Sequence, residues 1–409
     1  MDHPLAPPPT PAPAASGPQT LPPAGVWQWD IFCQVIDNFG DVGVCWRLCA
    51  DLAARGHTVR LWLDDPQALP WMAPGALEGD WPGVKVRPWS DASDPAVIAT
   101  LAPAQVWVES FGCDLPEAFV AARAQSNFGQ PPVWINLEYL SAEGFVERCH
   151  GLPSPVMSGP AKGWAKHFFY PGFTPRTGGL LREPGLLQKR SAFDQAARRQ
   201  WLQNQGIADH GEALVSLFCY ASAPAELLLA QLRALDTPVH LLVTAGQARD
   251  AVAQALAHPS QAPGQLRISY LPLLPQTEFD TLLWACDLNF VRGEDSLVRA
   301  LWAGRPFVWQ IYPQSDGAHQ AKLEAFLGAL DAPPEARAWH AQWNGLAPWD
   351  AHLALPVDAP QSPQAGQSGG WRAWAQSVPQ PLALQTDLVS QLCDFVQTAA
   401  APDQAQKTR

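Results

Sequence analysis

The chain has 409 residues, 47% of them apolar, which allows two or three domains with sizeable cores. Its formal charge of −12 argues against a general binder of nucleic-acid phosphates, which needs a basic face, but leaves room for a basic protein partner or an anionic ligand in a local pocket. No apolar run reaches the roughly 18–20 residues of a membrane span, and the eight cysteines form no CxxC pair, so without a secretory signal they read as reduced core thiols of a cytoplasmic protein.

Residues 1–24 read as a disordered Pro-rich tail. Trp27–Cys33 is the first strand, followed by the polar loop Asp37-Asn38-Phe39-Gly40-Asp41-Val42-Gly43. The spacing of Val44, Cys45, Leu48 and Leu52 predicts a helix over about 44–55, and Val59–Leu63 is the next strand. Further strands are expected near Val84–Val86, Val106–Glu109 and Val133–Leu137, with helices near Pro95–Leu101 and Pro116–Arg123. The alternation predicts a parallel sheet covered on both faces. Residues 151–190 are rich in Pro and Gly, which places a domain boundary within roughly 172–190.

A second alternating series follows. Strands are expected at Leu214–Tyr220, Val239–Thr244, Leu266–Leu271, Leu288–Val291 and Phe307–Ile311. Helices are expected near 193–205, 224–235, 249–256, 277–286 and 318–327. The stretch 331–376 has a weak pattern with many Pro, Trp, Gly and Gln residues and reads as a surface insertion with short helices. Leu382–Thr398 is the last helix. The expected organisation is a first Rossmann-like lobe over 25–180, a second over 181–378 and a closing helix over 379–400 that packs back toward the first. Ligands of such sheets sit beyond the C-terminal strand ends. The loops 37–43 and 292–296 both lie there, one per lobe.

Arg292-Gly293-Glu294-Asp295-Ser296 joins a buried strand to a new helix. Asp295 or Ser296 can cap that helix, whose free N–H groups and positive dipole end suit an anion such as a diphosphate, with Arg292 beside it. An ordinary capped helix in a βαβ unit fits the same residues. Glu294 is awkward there: a carboxylate costs about 4 kcal/mol against an anion at 4 Å with an effective dielectric near 20. It must point away or have a positive partner. Asp37 and Asp41 can converge on one small volume to receive a proton or hold a cation; equally, Asp37 can form an Asx turn and Asp41 a cap. Phe218, Tyr220, Phe279, Tyr312 and the Gln276 amide could hold a flat base, or be core. His57 and His319 read as structural. GxGxxG, Walker, HExxH and GxSxG motifs are lacking, which argues against nicotinamide, P-loop, zincin and serine-hydrolase readings.

Three stretches together resemble the EarP family, the protein-arginine rhamnosyltransferases of elongation factor P. They are Trp29-Asp30-Ile31-Phe32-Cys33 through Asp37-Asn38-Phe39-Gly40-Asp41 to Cys45-Trp46-Arg47-Leu48, then Asn136-Leu137-Glu138-Tyr139-Leu140-Ser141-Ala142-Glu143, then Phe290-Val291-Arg292-Gly293-Glu294-Asp295-Ser296. The resemblance covers roughly residues 27–330 and the closing helix; the Pro-rich start and the stretch 331–376 look like additions peculiar to this chain. It implies a GT-B glycosyltransferase, inverting and independent of metal or other cofactor. The donor would be dTDP-β-L-rhamnose, and the acceptor an arginine of elongation factor P. It further implies that Asp37, Asp41 and Glu294 are catalytic. Asn38, Phe39, Gly40, Phe218, Tyr220, Gln276, Phe279, Arg292, Gly293, Asp295, Ser296 and Tyr312 would hold the donor. A GT-B enzyme with a small-molecule acceptor and a non-catalytic nucleotide-sugar-binding protein are the competing expectations.

Overall fold

A computed structural model describes residues 25–36, 39–126, 130–257, 265–314, 317–357 and 369–400. The tail 1–24 and two of the expected site residues, Asp37 and Asn38, lie outside the described residues.

Two sheets form the two lobes expected of a GT-B protein. The first holds β1 (Gln28–Cys33), β2 (Thr58–Leu63), β3 (Val84–Pro88), β4 (Val106–Ser110), β5 (Val133–Leu137), β6 (Pro153–Pro155) and β7 (Ala165–Phe169). Its order is β3-β2-β1-β4-β5-β7-β6, parallel except for β6 at the edge. The second holds β8 (Ala213–Leu217), β9 (Val239–Val243), β10 (Leu266–Tyr270), β11 (Leu288–Arg292) and β12 (Phe307–Gln310), all parallel, in the order β10-β9-β8-β11-β12.

Alternation along the strands loads both faces of each sheet. In β1, Trp29, Ile31 and Cys33 join the core beneath the helix Gly40–Ala54, while Phe32 joins Trp62, Trp107 and Phe119 on the opposite face. Asp30 shares that second face. It is held there by Arg60 at 2.6 and 2.7 Å and by the Trp62 indole N–H at 2.9 Å, the pairing that a buried carboxylate requires. All eight cysteines are free thiols, six of them buried, and burial raises the pKa values of Cys49, Cys219 and Cys286. Among the described residues no helix is long and apolar enough to cross a membrane.

Three expectations need correction. The Pro/Gly-rich stretch 151–190 is not only a connection: β6 and β7 lie in it and extend the first sheet. β7 carries Lys166 and His167 and is half-buried between β5 and the short edge strand β6, so it has no apolar run to betray it. Among the described residues, the stretch 331–376 does not form a surface insertion. Its helix Pro334–Trp343 packs on β12, and Trp339, Trp343, Trp371 and Trp374 are buried in the second lobe's core. The expected last helix is two, Pro379–Ala383 and Leu388–Ala400, because Asp387 accepts from Ser390 N–H and starts the second afresh. Leu388, Val389, Leu392 and Val396 of that final helix complete the first lobe's core, so the chain crosses between lobes twice.

Strand order changes direction between β1 and β4 in one sheet and between β8 and β11 in the other. Crevices open at such points, beyond the C-terminal strand ends. The segments that leave these four strands carry Phe39, Asp41, Phe111, Phe218, Tyr220 and Glu294.

Candidate active site

In the first lobe, the helix begins at Gly40, four residues earlier than its apolar spacing predicts. Asp41 therefore stands in a first helical turn rather than a loop. It is buried, and one of its oxygens accepts the Ile36 N–H at 2.8 Å, so the carboxylate folds the preceding segment back over the helix start. Phe39 precedes the helix and packs edge-on against Trp71 at 4.9 Å.

In the second lobe, neither Asp295 nor Ser296 is the cap residue. The helix is Gly293–Ala303 and Arg292 occupies the cap position. Gly293 has φ +66°, a left-handed value that glycine adopts without strain, and this lets the helix start directly from β11. Ser296 reaches back one turn: its hydroxyl accepts from Arg292 N–H at 3.1 Å and donates to Arg292 C=O. Its polar capacity is thus spent within the turn. The leading N–H groups of the helix have no intrahelical acceptor, and Arg292, Asp295 and Ser296 line the crevice.

Arg292 is buried. Its guanidinium donates to Cys219 C=O at 3.2 Å and lies 4.6 Å from the ring centres of both Phe218 and Tyr220, and 5.6 Å from Phe39. Phe218 meets Phe279 edge-on at 5.4 Å, and Tyr220 meets Tyr312 at 5.7 Å. A cleft of about 690 Å³ opens between the lobes here, lined by Phe39, Gly40, Trp71, Phe218, Gln276, Phe279, Arg292, Asp295 and Ser296 among others. A planar apolar ring and a vicinal anion both find matching walls in it.

The Gln276 amide and the Asp295 carboxylate are turned to the first lobe. Gln276 donates to Gly43 C=O at 2.9 Å, and Asp295 accepts from Arg47 Nε at 2.8 Å. Arg47 also reaches Glu183 at 3.2 Å and Asp280 at 3.3 Å, while Arg299 holds Asp280 at 2.7 Å and Glu183 at 2.6 Å. Burial raises the Asp295 pKa, against Arg47 and Arg299, which lower it. Burial also disfavours the charged form of Glu183, but Arg299 and Arg47 outweigh it and bring its pKa down to about 2. Arg47, Asp280 and Glu183 have no role in the sequence reading. Their partners are 136 to 248 positions away from Arg47, so pattern alone could not pair them.

A second cavity of about 890 Å³ adjoins Gly40 on the other side. Its lining includes Asp41, Phe111, Tyr139, Glu294, Tyr312 and Lys322. Glu294 does have a positive partner, and it is internal: Lys322 Nζ lies 2.6 Å from one oxygen, and the other accepts Leu140 N–H at 2.7 Å. Phe111, at φ +59°, stacks on Tyr139 at 4.7 Å to form one wall. Tyr312 is well exposed at the rim. His57 and His319 stay outside both cavities, their Nδ1 atoms accepting backbone N–H from Trp27 and Gln314. Among the described residues no group of three or more His, Cys, Asp or Glu side chains is placed to hold a metal ion.

The family model of the Elongation-Factor P (EF-P) rhamnosyltransferase EarP matches residues 29–397. The chain belongs to the EarP family. The protein-arginine rhamnosyltransferase of Pseudomonas putida is 46% identical over 348 residues, covering 79% of this chain and 89% of that protein. That of Pseudomonas aeruginosa is 42% identical over 390 residues, covering 90% and 98%. A solved structure concerned with EarP-mediated arginine glycosylation of translation elongation factor EF-P is 30% identical with a TM-score of 0.57, covering 91% of this chain and 99% of that one. The EarP match runs through 331–376, in keeping with the buried tryptophans there.

Proposed function

We propose that this protein transfers L-rhamnose from dTDP-β-L-rhamnose to an arginine side chain of elongation factor P, in the cytoplasm, with inversion and without a metal. Membership of the EarP family over residues 29–397 is the observation that carries the reading. Two adjoining cavities support it, one walled by aromatic rings and Arg292, the other by Asp41 and Glu294.

In this reading the thymine ring lies among Phe218, Phe279 and Phe39. The diphosphate meets the Arg292 guanidinium and the leading N–H groups of the helix Gly293–Ala303. The acceptor guanidinium is protonated at neutral pH and is a poor nucleophile. Asp37 grips two of its N–H groups while Asp41 takes the proton. As that proton moves, the guanidino nitrogen bonds to the anomeric carbon and the bond from that carbon to the diphosphate oxygen breaks. The electron pair leaves on dTDP, whose growing charge faces Arg292. A single displacement turns the β-linked donor into an α-rhamnosyl arginine.

The test is mass spectrometry of elongation factor P after incubation with the protein and dTDP-β-L-rhamnose, with the product's anomeric configuration read by NMR. The expected product carries one α-linked deoxyhexose on arginine, with the same yield in EDTA. Transfer to small guanidines alone would replace the protein acceptor, and dTDP binding without transfer would reduce the protein to a nucleotide-sugar binder. A β-linked product would remove the single displacement.

A further inference from the structure

The cavity proposed for a cationic acceptor has a cation built into its wall. Lys322, on the helix Ala318–Ala329, is 18% exposed at its side chain, as is its partner Glu294. Its ammonium lies 2.6 Å from Glu294 and 5.5 Å from the Tyr139 ring centre. Through Glu294 and the Leu140 N–H it ties three elements together: the second lobe's helix start, the first lobe's segment after β5, and its own helix. Among the described lining residues, Asp41 and Glu294 are the acids and Lys322 is the base.

A free carboxylate at this position would grip an incoming guanidinium in a fork. Grip of that kind is made equally in the ground state and the transition state, so it tightens binding without speeding the reaction. A guanidinium held on Glu294 would also be kept from Asp41, the other acid of the same lining, and turnover would fall. We propose that Lys322 is a positioning residue that fixes Glu294 across the lobes and withholds its charge from the acceptor, leaving the guanidinium to the acids of the first lobe. This rests on the acceptor reading given above.

The experiment is steady-state kinetics of wild type, Lys322→Met, Lys322→Gln and Lys322→Arg with elongation factor P varied at saturating donor. Donor binding and melting temperature are measured alongside. In Lys322→Met and Lys322→Gln, kcat is expected to fall about tenfold and KM for elongation factor P to fall about threefold, with donor affinity within about twofold. Lys322→Arg keeps a cation in place and is expected to restore kcat to within about threefold of wild type. A merely structural lysine would lower the melting temperature and raise KM, and that outcome overturns the proposal. So does an unchanged kcat and KM in both neutral variants. If neither neutral variant folds, a fully active and equally stable Lys322→Arg supports the need for a cation here, and an inactive but folded one overturns it. A wild type that transfers nothing overturns the acceptor reading and this inference with it, whereas an active wild type with unaltered variants overturns this inference alone.

Discussion

The lobes meet at two charged joints that differ in burial and in what they hold. Beside the aromatic cavity, Arg47 and Arg299 are enclosed by Glu183, Asp280 and Asp295, two guanidinium groups among three carboxylates in several mutual contacts. Beside the second cavity there is one ammonium, one carboxylate and one backbone N–H. The first joint is a many-partner knot that fixes the base of the RGEDS helix before any ligand arrives. The second is a single chain of contacts on a cavity wall. A binding pocket benefits from the first arrangement, because pre-formed walls cost nothing to order. A reaction site needs an acid that can take up a proton during turnover, and on the second side Asp41 lines the cavity while Lys322 holds Glu294. Under the proposed function, the division of labour is donor affinity on one side and chemistry on the other.

The sharpest way to break that division is Asp41→Asn. The substitution keeps an acceptor for the Ile36 N–H and removes the proton acceptor. Turnover should fall by about 10²- to 10⁴-fold, the usual contribution of a general base. The affinity for dTDP, measured by calorimetry, should stay within about twofold. Normal turnover would remove Asp41 as the base, and lost dTDP binding would merge the two sides into one.

Next in size is Arg299→Met. Arg299 is almost fully buried, and removing it leaves Asp280 and Glu183 with Arg47 as the remaining guanidinium of the knot. Breaking a buried charge pair from one side costs about 3–5 kcal/mol, so the urea midpoint should drop accordingly. A loss under about 1 kcal/mol would mean the knot is solvated and soft, and the contrast between the joints would disappear.

Much of this layout was legible in the chain, for reasons that stop at identifiable residues. Apolar runs and turn signals located ten of the strands, β1 to β5 and β8 to β12, and the RGEDS turn announced itself by a buried run ending in Arg292-Gly293. The helix starts were displaced because Gly293 turns left-handed at the first helical position and because Phe39 caps without a side-chain bond. Neither leaves a mark in apolar periodicity. Arg47 was visible within a motif but silent about its partners, which come from Glu183 and from the helices Gln276–Ala285 and Gly293–Ala303. Lys322 has no role in the sequence reading; its partner Glu294 lies 28 positions away on another helix, and only the folded arrangement brings the two together. The tryptophans near 340 did carry a signal. Trp339 and Trp343 are four apart, on one helical face, but the Pro, Gly and Gln around them diluted it.

Arg292→Met probes the donor side alone. The substitution retains an unbranched side chain among Phe39, Phe218 and Tyr220 while removing the charge. Hydrogen bonds to charged groups contribute about 1.5–3 kcal/mol, which corresponds to a loss of dTDP affinity of roughly 10- to 150-fold. Affinity for unmodified elongation factor P, measured without donor, should be unaffected. Unchanged dTDP affinity would reject the diphosphate role; a matching loss toward elongation factor P would show that the two cavities are not separable.

The smallest effect concerns pH and the same knot. Arg299 and Arg47 hold Glu183 at about 2, below its ordinary value of 4.5. A carboxylate depressed on folding binds its proton more readily in the unfolded chain. Its stabilisation is complete above about pH 4.5 and is lost as pH falls toward about 2. Asp295 has the opposite sign, because burial raises its pKa: folding favours its protonated form, and protonation relieves the cost of burying its charge as pH falls. The two acids of one knot therefore pull the acid limb of the stability curve in opposite directions. In urea unfolding from pH 6 to pH 2, wild type and Glu183→Gln should differ most at pH 6 and converge toward pH 2. A difference that stays constant across that window would mean Glu183 gains nothing from Arg47 and Arg299 on folding. The donor-side joint would then owe its stiffness to the Arg47–Asp295 and Arg299–Asp280 pairs alone.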